Sequence, residues 1–213
     1  MLTRILSFLF PITRNIKSDH NGNLELTIIN GKKLLNTANA NYSYGSLQRV
    51  LKFSLQQLEL SKTHEILLLG LGGGCVVKTL REDFSYRGKI TAVDVDPIII
   101  SVAKKEFNVL SDEFTKIICS DAFNFVKDCD WKFDLIIVDL FVDNKVPDEF
   151  LTQEFWRYIL EHLSVRGKII FNTLCEPVSN LKPIEDKFRK RGLDYKIYRH
   201  VENTNRVLIA NYY

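Results

Sequence analysis

Three aspartates and a cluster of glycines are the residues of this 213-residue sequence whose types and spacing could do chemistry. Gly70, Gly72, Gly73 and Gly74 follow the apolar run Ile66 to Leu69 and precede Val76, Val77 and Leu80, which have helical spacing. That order reads as a buried strand, a tight turn and a helix start, the turn at which an open α/β sheet receives a nucleotide-like ligand. Tight packing alone also calls for glycine, so the neighbouring residues must decide. Asp94, Asp121 and Asp139 each fall at or just after the C-terminal end of an expected strand, the end at which such sheets bind ligands. Asp94 lies 20 residues beyond Gly74, the separation at which an acid accepts hydrogen bonds from ribose hydroxyls. Its competing role is a helix cap, for which Asp96, just before Pro97, is better placed. Asp121, in CSDAFNF, opens a helix and reads both as its cap and as an acceptor for an adenine amino group. Asp139 ends the most apolar strand and leads into a loop. A lone buried carboxylate is costly unless paired, and a cationic or amine-bearing ligand would pair with it. Together the acids oppose a polyphosphate and favour a cation.

The elements that must position these residues follow from periodicity. Residues 13–37 alternate as strands, with turns at Asn21-Gly22 and Asn30-Gly31 and Leu24, Leu26 and Ile28 on one face, which predicts a small antiparallel β unit. Leu47, Val50, Leu51, Leu55 and Leu58 then define a helix starting near Ser46. Tyr42 and Tyr44 stand before it as core or hinge aromatics, Tyr44 being the candidate acceptor contact. From the glycine turn onward strands and helices alternate: KITAVDVDP, IIISVAKKEFNVL, TKIICSDAFNFVKDC, FDLIIVDLF, EFLTQEFWRYILEHL, RGKIIFNTL and IEDKFRKRG, closing with two strands around an Asn-rich turn. The pattern predicts a mainly parallel sheet covered on both faces, with an antiparallel strand near its edge. The expected division is 1–45 as N-terminal β unit and arm, and 46–213 as the nucleoside-binding domain.

Composition narrows the class. A formal charge of +3 with dispersed basic residues gives no footprint for nucleic acid. Cys75, Cys119, Cys129 and Cys175 form no CxxC pair and have no histidine at zinc spacing, so no metal site is expected. They read as reduced, mostly buried thiols of a cytoplasmic protein. The apolar N-terminus MLTRILSFLFPIT is too short to span a bilayer and is expected to pack on the domain or on a partner subunit. The histidines are scattered without a nucleophile or metal partner, and Trp131 and Trp156 read as packing residues.

The order GLGGG, AVDVDP, SDAFNF, FDLIIVDLF, FLTQEFWRYI, GKIIFN, together with the N-terminal β unit and NYSYGSLQRVL, resembles the spermidine synthase-like branch of the class I S-adenosylmethionine-dependent methyltransferase superfamily. The resemblance implies a Rossmann-like α/β fold with a seven-stranded sheet whose last strand is reversed. It implies binding of S-adenosylmethionine or its decarboxylated form, with Gly70, Gly72 and Gly74 under the amino-acid or aminopropyl tail, Asp94 on the ribose, and Asp121 with Ala122 at the adenine. Asp139 falls where aminopropyltransferases place the acid that orients and deprotonates the attacking amine. The sequence departs from the aminopropyltransferase pattern where Gly73 replaces an Asp that binds the cofactor tail, and where Val142 replaces a second acid, with Asp143 one residue out of register. Tyr44-Gly45-Ser46 replaces a Tyr-x-Glu. These departures favour methyl over aminopropyl transfer. The expectation is a cytoplasmic, homodimeric transferase acting on a small, amine-bearing acceptor; the alternative is a nucleoside-binding or dimeric interaction module that has lost catalysis.

Overall fold

The computed structural model describes residues 2–37, 41–43, 45–142, 145–203 and 205–212. A short helix α1 (Leu2–Leu6) leads into four antiparallel strands, β1 (Ile12–Ser18), β2 (Gly22–Ile29), β3 (Lys32–Thr37) and β4 (Asn41–Ser43), paired in chain order. The Asn30-Gly31 turn joins β2 to β3 with Ile29 opposite Lys32, the two-residue connection that dipeptide favours. Leu24, Leu26 and Leu35 are buried and project from this sheet into the same apolar cluster as Leu47, Val50, Leu51 and Leu55 of α2 (Ser46–Gln56). The amphipathic face read from the sequence is therefore the one that packs.

The main sheet is built from β5 (Glu65–Leu69), β6 (Lys89–Asp94), β7 (Thr115–Cys119), β8 (Phe133–Val138), β9 (Leu163–Leu174), β10 (Asp194–Val201) and β11 (Asn205–Asn211). Their spatial order is β10-β11-β9-β8-β5-β6-β7. Strands β9, β8, β5, β6 and β7 run parallel, while β11 is antiparallel to both β9 and β10. The reversed last strand thus lies one position inside the edge. Alternation within β5 sends Ile66 and Leu68 to one core and Leu67 and Leu69 to the other, which is why this strand reads as an unbroken apolar run.

Helices cover both faces: α3 (Cys75–Lys78), α4 (Pro97–Phe107), α5 (Ala122–Asp128), α6 (Gln153–His162) and α7 (Val178–Lys190). The helix expected after the glycine turn is only one α-turn long and continues as a π-helical turn, Thr79–Asp83. The segment expected as one helix from Glu149 is divided: a 3₁₀ turn, Asp148–Leu151, precedes α6, whose true cap is Thr152, the hydroxyl accepting from the Phe155 N–H at 3.2 Å. Helix α7 starts six residues before the expected Ile184 and carries Pro183 inside it. Cys119 and Cys175 are exposed and only Cys75 is fully buried, correcting the expectation of mostly buried thiols. Trp156 is buried with its indole N–H donating to the Phe150 carbonyl at 2.8 Å, but Trp131 is exposed, with the Lys116 ammonium 4.2 Å from its ring centre. His162 is a packing residue, its two ring nitrogens 2.9 and 2.6 Å from the Trp131 and Val126 carbonyls.

Candidate active site

Strand β5 stops where its apolar run meets Gly70, and the backbone there is held from both sides. The Gly70 N–H donates to the Val93 carbonyl of β6, and the Asp139 N–H, just past β8, donates to the Leu69 carbonyl, each at 2.9 Å. Gly70 has φ +94°, and a Cβ added to it would lie 2.1 Å from the Asp139 carbonyl oxygen. Glycine is thus required by the close approach of two strand ends, which brings Asp139 beside the turn. Gly74, at φ +80°, packs instead against Val109, whose Cγ2 would be 2.5 Å from an added Cβ.

A cavity opens at these C-terminal strand ends. Gly70, Gly72, Asp94, Asp121, Ala122 and Asp139 all line it, so six of the positions singled out by sequence meet at one place; Gly73 and Gly74 stand outside that lining. Tyr44 and Asp143 lie outside the described residues. Leu140, Phe141, Val142, Pro147 and Phe150 form the wall beyond Asp139, and His20 and Asn21 reach in from the β1–β2 turn. Those last two were invisible as site residues in the sequence. Their turn is legible, but its destination depends on contacts made 75 residues away.

Asp94 is folded onto the glycine turn. Its Oδ2 accepts from the Leu71 and Gly72 N–H groups at 3.0 and 3.1 Å, and its Oδ1 from the Asp96 N–H at 3.0 Å. Burial raises its pKa to about 6, against the opposing pull of those N–H donors. Oδ1, which takes a single bond, retains a further lone pair for a ligand hydroxyl, whereas Oδ2 already accepts two. Asp96 is fully buried and caps α4, its Oδ1 accepting from the Ile98 N–H at 2.8 Å. Its Oδ2 accepts from the Ser18 hydroxyl and from the Asn21 side-chain amide, the latter at 2.7 Å. The N-terminal sheet is thereby clasped to the rim of the cavity, with ion pairs from Arg14 and Lys33 to Glu106 of α4 supporting it at 2.8 and 2.9 Å.

Asp121 caps α5, its Oδ1 accepting from the Asn124 N–H at 2.8 Å; Oδ2 takes no hydrogen bond among the described residues. Asp139 is 8% exposed. Its Oδ1 accepts from the Asn172 amide at 2.8 Å, and burial, only partly offset by that bond, pushes its pKa up to about 7. Asn172 is a third residue not visible as a site residue in the sequence, because it is one polar position inside the apolar run of β9. No lysine or arginine lines the cavity among the described residues. Nor is there a cluster of three or more metal-ligating side chains among them, and no helix is long and apolar enough to cross a membrane.

The spermine/spermidine synthase domain family matches residues 52–189. The chain is 29% identical over 147 residues to the eEF1A lysine and N-terminal methyltransferase homolog of Drosophila melanogaster, covering 64% of this chain and 21% of that protein. It is 32% identical over 152 residues to the polyamine aminopropyltransferase of Sulfolobus acidocaldarius, covering 67% and 48% respectively. The chain therefore spans between about a fifth and a half of the length of these curated relatives. Among solved structures it is similar to human methyltransferase-like protein 13 in complex with SAH, at a TM-score of 0.62 and 21% identity, covering 79% of this chain and 80% of that one. A spermidine synthase in complex with the transition state analogue AdoDATO gives a TM-score of 0.62 at 15% identity, covering 93% and 69%. These similarities establish the Rossmann-like methyltransferase fold.

Proposed function

Because this chain belongs to the spermine/spermidine synthase domain family, we propose that it is an S-adenosylmethionine-dependent transferase that moves a methyl group to an amine on a small acceptor. The observation that carries this reading is the charge of the cavity. Three carboxyl groups, two of them with pKa values raised to about 6 and about 7, line it without a lysine or arginine among the described residues. Ionising Asp94 and Asp139 there is costly, and a ligand that brings a fixed positive charge offsets that cost. A sulfonium nucleoside fits this demand; a polyphosphate does not.

In this reading the backbone around Gly70 and Gly72 holds the tail, with Gly74 shaping the turn behind it. Asp94 takes the ribose hydroxyls, and Asp121 with Ala122 the adenine. Bound there, the sulfonium group supplies an activated carbon. The chain itself aligns the acceptor and removes its proton. Asp139, with a pKa near neutrality, is suited to accept a proton from an ammonium group and leave a nitrogen lone pair free. Methyl transfer is favoured over aminopropyl transfer because Gly73 offers no carboxylate to a cationic tail. The wall beyond Asp139, moreover, is apolar through Leu140, Phe141 and Val142. Relatives of both kinds support the choice of cofactor class, S-adenosylmethionine or its decarboxylated form. Tyr44 remains a proposed acceptor contact. A homodimer through the N-terminal unit is part of the same proposal, supported by the exposed Ile5, Phe8 and Leu9; a monomer by light scattering would refute it.

Calorimetry with S-adenosylmethionine, decarboxylated S-adenosylmethionine and neutral methylthioadenosine tests the reading. S-adenosylmethionine should bind most tightly and the neutral thioether most weakly. Tighter binding of the decarboxylated form would turn the assignment to aminopropyl transfer, and no binding of any at millimolar concentration would overturn it.

A further inference from the structure

We infer that Asn172 is a positioning residue for the proton-accepting carboxyl group, holding Oδ1 of Asp139 so that Oδ2 is the atom presented to the acceptor amine. The inference rests on the reading of Asp139 as the base, and it concerns how that base is aimed.

Asn172 follows Phe171, which pairs with Val138 of β8, and is therefore level with Asp139 on the adjacent strand. Its side chain is fully buried, so each polar atom needs a partner. Its Oδ1 accepts from the Leu174 N–H and from the Asn205 side-chain amide, both at 3.3 Å. Those two donors fix which way the amide points. Flipped, it would set an oxygen against the Asp139 carboxylate and an NH₂ group against a backbone N–H. The NH₂ group therefore faces Asp139 Oδ1, at 2.8 Å. Oδ2 takes no hydrogen bond among the described residues. When a proton leaves the acceptor nitrogen, an N–H bond breaks, its electron pair stays on nitrogen, and an O–H bond forms at Oδ2. Oδ1 keeps its donor throughout, so the carboxyl group need not rotate.

Other titratable groups surround Asp139. His20, Asp94 and Asp121 line the cavity, and Lys145, Glu176 and Arg206 stand on the neighbouring segments after β8, after β9 and at the start of β11. Burial and the Asn172 hydrogen bond are nonetheless what move the Asp139 carboxyl group, in opposite directions. Removing the amide donor must raise its titration midpoint further.

The test is direct titration of the Asp139 side-chain carbon by ¹³C NMR in the ligand-free full chain, native and Asn172→Leu, alongside kcat/KM against pH. The midpoint and the acid limb of kcat/KM should both move up by about one pH unit. At pH 7 the rate falls by roughly fivefold and returns towards the native value near pH 9. Asn205→Ala, which loosens the Asn172 amide by removing one of its two donors, should shift both readouts in the same direction by less, and serves if Asn172→Leu fails to fold. An unmoved midpoint, or a rate loss of the same size at every pH, overturns the positioning role. A shifted midpoint in a protein whose Asp139→Asn variant keeps its native rate would instead remove Asp139 as the base and leave the contact standing.

Discussion

On the side of the cavity proposed for the nucleoside Asp94 is held by three backbone N–H groups, whereas on the side proposed for the acceptor Asp139 is held by one side-chain amide. The first arrangement belongs to the turn itself and persists whatever side chains surround it. The second depends on the identity of residue 172 and on a wall of replaceable apolar side chains. Under the proposed function, a fold built this way would keep its nucleoside while its acceptor changed. That is consistent with the family holding relatives named for lysine methylation and for aminopropyl transfer at similar identity.

The sharpest way to break this contrast is Asp139→Asn. Turnover should fall by about a thousandfold, while calorimetric affinity for S-adenosylmethionine changes little; an unaltered rate would remove Asp139 from the mechanism. The same variant has a second signature. Because the folded-state pKa of Asp139 is raised to about 7, its ionisation opposes folding: the stability it allows is intact below the ordinary carboxylate range and is lost as pH rises through 7. Urea unfolding should therefore find the Asn variant more stable than the native chain at pH 8, by about 4 kcal/mol, with the difference vanishing near pH 4.

Gly70→Ala tests the joint between the halves. Its Cβ would meet backbone, the Asp139 carbonyl, so stability should drop by about 3 kcal/mol, with nucleoside affinity and turnover falling together. Gly74→Ala would press on the buried Val109 side chain, away from the cavity lining, and should lower stability while leaving the pH profile unchanged. The smallest expected effect is that of Asp94→Asn. Affinity for S-adenosylmethionine should weaken by roughly tenfold through loss of a charged acceptor, with little change in turnover at saturation. Equal losses in both parameters would mean that Asp94 shapes the acceptor half too.

Much of this arrangement can be read along the chain because it is local. The apolar runs of β5 and β8 end where the sheet ends, so an acid immediately after such a run lies at the ligand-binding edge. Asp94, Asp121 and Asp139 were legible for that reason, as were the glycine turn and the cap at Asp96. What escaped was set by tertiary pairing. Asn172 becomes a partner of Asp139 only once β8 and β9 are in register, and nothing within IIFNTL announces it. His20 and Asn21 announce a turn and not the cavity it overhangs. The shortened α3 reflects packing of Leu80 and Tyr86 in the core beneath a π-helical turn, which helical spacing alone cannot distinguish from a regular helix.

The clasp of Ser18 and Asn21 on Asp96 also bears on the order in which the molecule comes together. The hairpin of β1 and β2 closes over a few residues, but the carboxylate it grips is 78 residues further along from Ser18. During synthesis from the N-terminus the hairpin is complete well before β6 and the start of α4 have emerged, and a contact of such sequence separation is slow to form. The rim of the cavity is therefore a late event in folding. Until it closes, a newly made chain can carry a finished hairpin of β1 and β2 without the rim that hairpin forms over the cavity.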